Sequence, residues 1–133
     1  MKKLIVVVGA VIVRDGLILC AQRGPGGALS GMWEFPGGKI ENGESPSQAL
    51  VREIAEELDC AVDVGEQVTS TTHEYDFGTV SLTTFYCSLA EGEPRRSEHE
   101  ALLWLPADEL GSIEWAPADV PAVELIRSTG ARQ

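Results

Sequence analysis

Basic residues are scarce in this chain: ten Lys and Arg stand against 21 Asp and Glu, a formal charge of −11 at pH 7. With no stripe of positive charge to neutralise a phosphate backbone, nucleic-acid polymers are excluded as partners, and any anionic ligand needs a cation to mediate it. Cysteine is also scarce. Cys20, Cys60 and Cys87 are odd in number and far apart, which excludes a disulfide framework and suits reduced core thiols in a cytoplasmic protein. Long apolar runs are missing. The stretch 4–13, after Lys2 and Lys3, is β-branched, interrupted by Gly9, without a leader cleavage site and too short for a bilayer. It reads as a buried strand, so no membrane partner is expected.

What remains is ordinary globular material: 133 residues, 44% hydrophobic, enough for one domain over 1–133 with a real core. The composition is compatible with a monomer or a homodimer.

Asp15-Gly16 between the apolar runs 4–13 and 17–22 predicts an opening β-hairpin. A glycine-rich loop, GPGGALSG over 24–31, leads into Trp33-Glu34-Phe35 and a second turn cluster, Pro36-Gly37-Gly38-Lys39. The loop lacks the lysine that ends a P-loop. Ser45-Pro46-Ser47-Gln48 then starts a helix, with Ser45 at the N-cap, Pro46 at the first helical position and Gln48 closing a capping box; it should run to about Leu58. Residues 61–72, 73–76 and 79–89 read as antiparallel strands with a turn at Phe77-Gly78, 91–100 as a loop, and 101–105 as a short strand. A final helix begins at Asp119 or Pro121 and reaches about Ser128. This order predicts an α/β fold, a mixed sheet with helices packed against it.

The predicted helix at 45–58 carries REIAEELD. At about 100° per residue, Glu53, Glu56 and Glu57 share one arc beside the stripe of Leu50, Ile54 and Leu58, with Arg52 placed to pair Glu56 at i+4. Like charges so close are destabilising. They are either a solvated acidic face or a site for a hard divalent cation, Mg²⁺ or Mn²⁺, which bridges to phosphate oxygens.

Glu44 stands six residues after Gly38, and Arg52-Glu53-Ile54-Ala55-Glu56-Glu57 begins eight residues later. This resembles the Nudix box, G-x5-E-x7-R-E-U-x-E-E-x-G-U with U apolar. Six fixed residues coincide by chance roughly once in ten million start positions at average residue frequencies. The chain departs from the pattern at Asp59, where the box has Gly to end the helix in a left-handed conformation; the expected cost is about 1 kcal/mol of stability. MKKL at the start, Gln22-Arg23, WEFPGGKIENGE over 33–44 and EGEP over 91–94 look like MutT-type Nudix hydrolases.

That resemblance implies an α/β/α sandwich with a mixed sheet and helices on both faces. It implies a Mg²⁺-dependent pyrophosphohydrolase that splits nucleoside triphosphates into monophosphate and pyrophosphate in nucleotide-pool sanitation. Glu53, Glu56 and Glu57 would be metal ligands, with the backbone at Gly37 and Gly38 completing the site, Arg52 assisting and Glu44 supporting the loop or an outer metal. Glu53 or Glu98 would activate water, and Glu98 would also approach the metals. His99 and Glu100 are weaker members of that acidic loop.

For substrate contacts, Arg23 is placed to stack on a base or hold a phosphate, or else is a plain surface residue. Lys39 adjoins the glycine pair. Alternation puts Trp33 and Phe35 on one face and Glu34 on the other, one towards the core and one towards a nucleotide. WAPADVP over 115–121 resembles the base-reading segment of the CTP pyrophosphohydrolase branch, whereas MutT enzymes acting on 8-oxo-guanine carry Asn where Asp119 stands. An ionised carboxylate only accepts hydrogen bonds, so Asp119 suits the amine of cytosine and repels the O6 of guanine unless it is protonated. Asp119 also suits an N-cap for the last helix. The expected substrates are (d)CTP, 5-methyl-dCTP or 8-oxo-dGTP. Rival readings are a Nudix hydrolase of ADP-ribose or dinucleoside polyphosphates, and a metal-dependent nucleotide sensor without turnover.

Overall fold

The expected hairpin forms from β1 (Leu4–Arg14) and β2 (Leu17–Gln22), turning through Asp15 and Gly16 at positive φ. The computed structural model describes residues 3–130; Met1, Lys2 and residues 131–133 lie outside the described residues. Short strands β3 (Trp33–Glu34) and β4 (Gly37–Lys39) precede α1 (Pro46–Leu58), followed by β5 (Ala61–Tyr75), β6 (Gly78–Glu91), β7 (Ala101–Pro106) and α2 (Val120–Thr129). The sheet runs β3-β2-β1-β6-β5, with β4 also pairing β1 and β7 pairing β2. β1 and β6 are parallel and the other pairs antiparallel, so the sheet is mixed, as expected.

Period-two alternation along β1 builds a core on each face. Val8, Ala10 and Ile12 bury against Ala49, Leu50, Ile54 and Leu58 of α1, while Val11 and Val13 bury against Ala122, Val123 and Ile126 of α2. The result is the α/β/α sandwich. Burial pushes the thiols of Cys20 and Cys87 up to about 12, which keeps them unreactive.

The helix signals around Ser45 are borne out atom by atom. Ser45 Oγ accepts from the Gln48 N–H at 3.1 Å, and Gln48 Oε1 accepts from the Ser45 N–H at 2.9 Å. At the other end Asp59 adopts φ 54°, ψ 41°, and its N–H reaches the Ala55 carbonyl at 3.2 Å. Asp therefore takes the left-handed cap that Gly would take more cheaply.

Two expectations need correction. Pro36-Gly37-Gly38-Lys39 is not a turn: residues 37–39 form β4, paired antiparallel to Val7, Val8 and Gly9 of β1. The glycines serve close approach, since a Cβ on Gly37 would strike the Val8 carbonyl oxygen. Gly37→Ala should therefore lower stability by about 3 kcal/mol or more, roughly 10 °C in Tm; a thermal melt within a degree or two of wild type would contradict this packing. Residues 61–75 are one strand rather than two, because irregularities near Val64 and Gln67 bend β5 without breaking its ladder to β6.

β1 changes partner along its length, from β4 at Val7–Gly9 to β2 at Val13–Arg14. Between them the Ala10 N–H donates to the Pro36 carbonyl at 2.7 Å. This fixes the segment Glu34–Pro36 at the mouth of the cleft described next.

Candidate active site

Where β1, β3 and β4 meet the tip of the β5–β6 hairpin, a cleft of about 290 Å³ opens. Its lining is apolar at Ile5, Val7, Val80, Leu82, Phe35 and Ala118, with the buried Asp119 among these. Arg23, Glu34, Gly37, Gly38, Lys39 and Glu57 supply the rest of the lining, most of it polar. A second hollow of about 230 Å³ shares Arg23, Glu34 and Glu57 and adds Glu98 and His99. An apolar compartment and an acidic one thus meet at Glu34 and Glu57.

Among the described residues α1 contributes Glu57 alone to the lining of the two hollows, and Glu53 stands behind Gly38. Glu53 is mostly buried, its side chain 15% exposed, and its carboxylate lies against Gly38, where any Cβ would overlap it. Glu57 is pushed up to about 7, first by burial and then by the neighbouring Glu53, Glu34 and Glu98 carboxylates, against the pull of His99. Glu56 is 60% exposed and stands outside the cleft.

Arg52 makes the expected i+4 pair with Glu56 and adds tighter partners that spacing did not indicate. Its tightest partner is Glu44, gripped by Nε at 2.6 Å and Nη2 at 3.0 Å, while Nη2 also donates to the Lys39 carbonyl at 3.0 Å and Nη1 to Glu53 at 3.0 Å. Glu56, the expected i+4 partner, lies at 3.4 Å. The loop folds Glu44 back onto the helix, a long-range approach that helical spacing does not reveal. The Arg52 guanidinium holds the Glu44 carboxyl below the usual carboxylate range, and the Glu41 N–H assists. Glu44 supports the loop and does not line the cleft.

At the apolar end the alternation question is answered. Phe35 turns into the α2 core, its ring 4.7 Å from that of Trp115, and Glu34 turns to the cleft. Asp119 makes no side-chain cap for α2; its Oδ1 accepts from the Phe35 N–H at 3.1 Å. Only 6% exposed, Asp119 is pushed up to about 8 by burial, partly offset by that hydrogen bond. Burial therefore favours its neutral form.

The sign of the linkage follows. Unfolded, Asp119 loses its proton near the ordinary 3.8; folded, it keeps it until about 8. The folded state binds the extra proton between these values, so stability falls as pH rises through that window. Asp119→Asn cannot titrate, and its melting temperature relative to wild type should climb by about 5 °C or more from pH 5 to pH 8. Parallel melting profiles would place the Asp119 pKa near its ordinary value.

Glu34 is held from both sides: Arg23 Nη1 donates to Oε1 at 3.0 Å, and His99 Nε2 lies 2.9 Å from Oε2. His99 is 8% exposed, with its pKa raised first by this hydrogen bond. Sequence reasoning underrated His99 and passed over Tyr75, whose hydroxyl accepts from the Ala118 N–H at 2.8 Å, and Phe77, which stacks on Tyr75 at 4.9 Å. Alternation at 73, 75 and 77 put these rings on one face, the available signal, but only the fold brings that face to the cleft.

Among the described residues no three His, Cys, Asp or Glu side chains stand close enough to enclose an ion. Two features nevertheless fit a hard cation: Glu57 Oε1 is buried without a hydrogen-bond partner, and the glycine at 38 leaves the Glu53 carboxylate room. Among the described residues no helix is long and apolar enough to cross a membrane.

Comparisons with known proteins agree on the assignment. A model of the NUDIX domain matches residues 7–125. The chain is 43% identical over 122 residues to a CTP pyrophosphohydrolase of Escherichia coli (strain K12), covering 92% of this chain and 90% of that one. It is 44% identical over 121 residues to a putative 8-oxo-dGTP diphosphatase 2 of Mycobacterium tuberculosis (strain H37Rv), covering 86% and 82%. Among solved structures, the MutT Nudix hydrolase of methicillin-resistant Staphylococcus aureus 252 is 52% identical and superposes with a TM-score of 0.80, covering 98% and 100%. The motif, the sandwich and these relatives agree: the chain belongs to the Nudix hydrolase family.

Proposed function

We propose that this protein, as a single domain over 1–133, is a cytoplasmic nucleoside triphosphate pyrophosphohydrolase, releasing monophosphate and pyrophosphate in nucleotide-pool sanitation. The observation that carries this reading is the pairing of two compartments: an apolar slot ending on Asp119, sized for a base, opening beside carboxylates suited to triphosphate chemistry. The relatives named for CTP and for 8-oxo-dGTP support a cytosine or an 8-oxo-guanine nucleotide, and the substrates proposed are (d)CTP, 5-methyl-dCTP or 8-oxo-dGTP. No feature of the cleft favours ADP-ribose, dinucleoside polyphosphates or sensing without turnover.

Nudix hydrolases generally use divalent metals, and in this chain Glu53, Glu56 and Glu57, with the backbone at Gly38 and with Glu98 nearby, would hold Mg²⁺, or Mn²⁺ in its place. Bound there, the cation would neutralise phosphate oxygens and lower the pKa of water. Glu53 or Glu98 takes the proton from the attacking water. Arg52 and Glu44 fix α1 against β4, so the carboxylates keep their positions while the charge they hold changes. Lys39 and Arg23 face the polyphosphate, and burial of Phe35 keeps water from the base slot.

Asp119 reads the base. As a neutral acid it accepts through Oδ1 from the Phe35 N–H and donates its own proton into the slot, so at neutral pH it tolerates a base carbonyl that the ionised form would repel. The cytosine preference expected from an ionised Asp119 is thereby relaxed.

The test is a panel of CTP, dCTP, 5-methyl-dCTP, 8-oxo-dGTP, dGTP and ADP-ribose with Mg²⁺, quantifying pyrophosphate and orthophosphate separately. Pyrophosphate from a cytosine or 8-oxo-guanine nucleotide is the expected product; no turnover of any member rejects the enzyme, and orthophosphate alone rejects the bond. Between pH 7 and pH 8.5 the kcat/KM ratio of 8-oxo-dGTP to dCTP should fall several-fold in wild type, in step with loss of the Asp119 proton, and stay level in Asp119→Asn. A level ratio in both would remove Asp119 from base reading.

A further inference from the structure

The loop 95–100 is fastened at both ends. The Arg95 N–H donates to the Leu58 carbonyl at 2.8 Å and Ser97 Oγ to the Glu57 carbonyl at 2.8 Å, tying the loop to the last turn of α1. The Glu100 N–H donates to the Gln22 carbonyl at 2.8 Å, tying it to β2, and Arg96 Nη1 closes the loop on the Glu100 carbonyl at 2.7 Å. His99 is the one residue of residues 95–100 that this frame buries. It lines the acidic compartment behind the shared residue Glu34, with Nε2 on Glu34 and with Nδ1 buried and free of any hydrogen-bond partner among the described residues.

Glu34 thus has two supports of unequal stiffness. Arg23 is a long side chain, 41% exposed, with many rotatable bonds behind its contact to Glu34. His99 is 7% exposed, a short ring in a loop anchored at both ends. A carboxylate acceptor at 2.9 Å fixes a proton on Nε2, so the ring is a stationary donor behind Glu34. Loss of this donor would leave Glu34 free to follow Arg23 towards solvent.

We propose that His99 is a positioning residue for substrate recognition: through its Nε2 hydrogen bond it locks the Glu34 carboxylate in the orientation that meets the nucleotide. The inference rests on the proposed substrate cleft and on Glu34, which lines both of its compartments, contacting the nucleotide there. His99 itself touches neither the reacting phosphorus nor the attacking water. Its effect is therefore on binding, and it passes entirely through Glu34.

The atom-level geometry sets the test. A Gln side chain can place its amide nitrogen where His Nε2 stands, whereas Asn places its nitrogen where Nδ1 stands. His99→Leu and His99→Asn should raise KM about tenfold for the preferred nucleotide with kcat within about threefold, and His99→Gln should recover most of the loss. In a Glu34→Ala background, His99→Leu should add no further change in KM. Asn and Gln variants with equal KM would overturn the proposal even if His99→Leu fails to fold. An undiminished His99→Leu effect without Glu34 would overturn it as well, while leaving Glu34 as a substrate contact if Glu34→Ala alone is impaired. A Glu34→Ala enzyme with unchanged kinetics would reject both the contact and the proposal.

Discussion

Glu53→Gln is expected to lower kcat about a thousandfold, equivalent to roughly 4 kcal/mol of lost transition-state stabilisation, with the fold intact. The substitution is isosteric and removes only charge and basicity. Glu53 lies against Gly38, is largely shielded from water, and is held by Arg52 at 3.0 Å. A carboxylate so placed is preorganised both for a cation and for the proton of an attacking water, and an amide serves neither. Glu124→Gln, at an exposed pair with Arg127 on α2, removes the same charge away from the cleft and should leave the rate unchanged. Rates from pyrophosphate release, beside circular dichroism, would check this. A loss below tenfold would pass the water-activating role to Glu98.

Arg52→Gln should lower kcat about a hundredfold and raise the Mg²⁺ concentration needed for half-maximal rate, because small displacements of positioned groups are costly to catalysis. One guanidinium joins Glu44, Glu53 and the Lys39 carbonyl, so it ties the loop after β4 to the carboxylate face of α1. Lysine has no planar fork to grip Glu44 through two nitrogens, and Arg52→Lys should recover little. Glu44→Gln should lose activity in the same direction, more mildly, since Glu53 keeps its partner. Wild-type metal dependence in Arg52→Gln would show that the network acts on the loop alone.

The Nudix box is a local motif. Three of its glutamates sit on one helix and its glycine on the adjoining strand, so spacing already carried Gly38, Glu53, Glu56 and Glu57 to one region. As metal ligands the sequence treated the three helix glutamates alike, whereas the structure exposes Glu56 and shields Glu53. Helical phase places residues relative to one another; the depth of each depends on which strands pack beside the helix. Arg52 illustrates the same limit. Its i+4 neighbour was visible from spacing, but its tighter partner Glu44 comes from a loop whose return path is not encoded by periodicity.

The glycine pair was misread as a turn for a related reason. Glycine marks both turns and close backbone approaches, and the two are separated only by what lies next to it. For Gly37 the neighbour is the backbone of β1, almost thirty residues earlier. His99 is a third instance: a histidine in a polar loop carries no periodic signal, and its burial against Glu34 requires β3 and the loop to meet.

By itself the sequence determined the acidic charge balance, the capped carboxylate helix, the alternation that buries both faces of β1, and the family. These are local properties, set by residue type and by the 3.6- and 2-residue periods of helix and strand. Only the tertiary structure decided which carboxylates are desolvated, that burial raises the Asp119 pKa, and that His99 stands behind Glu34. Desolvation and hydrogen-bond partnership depend on segments distant in the chain arriving at one place, and no spacing along the chain specifies that arrival.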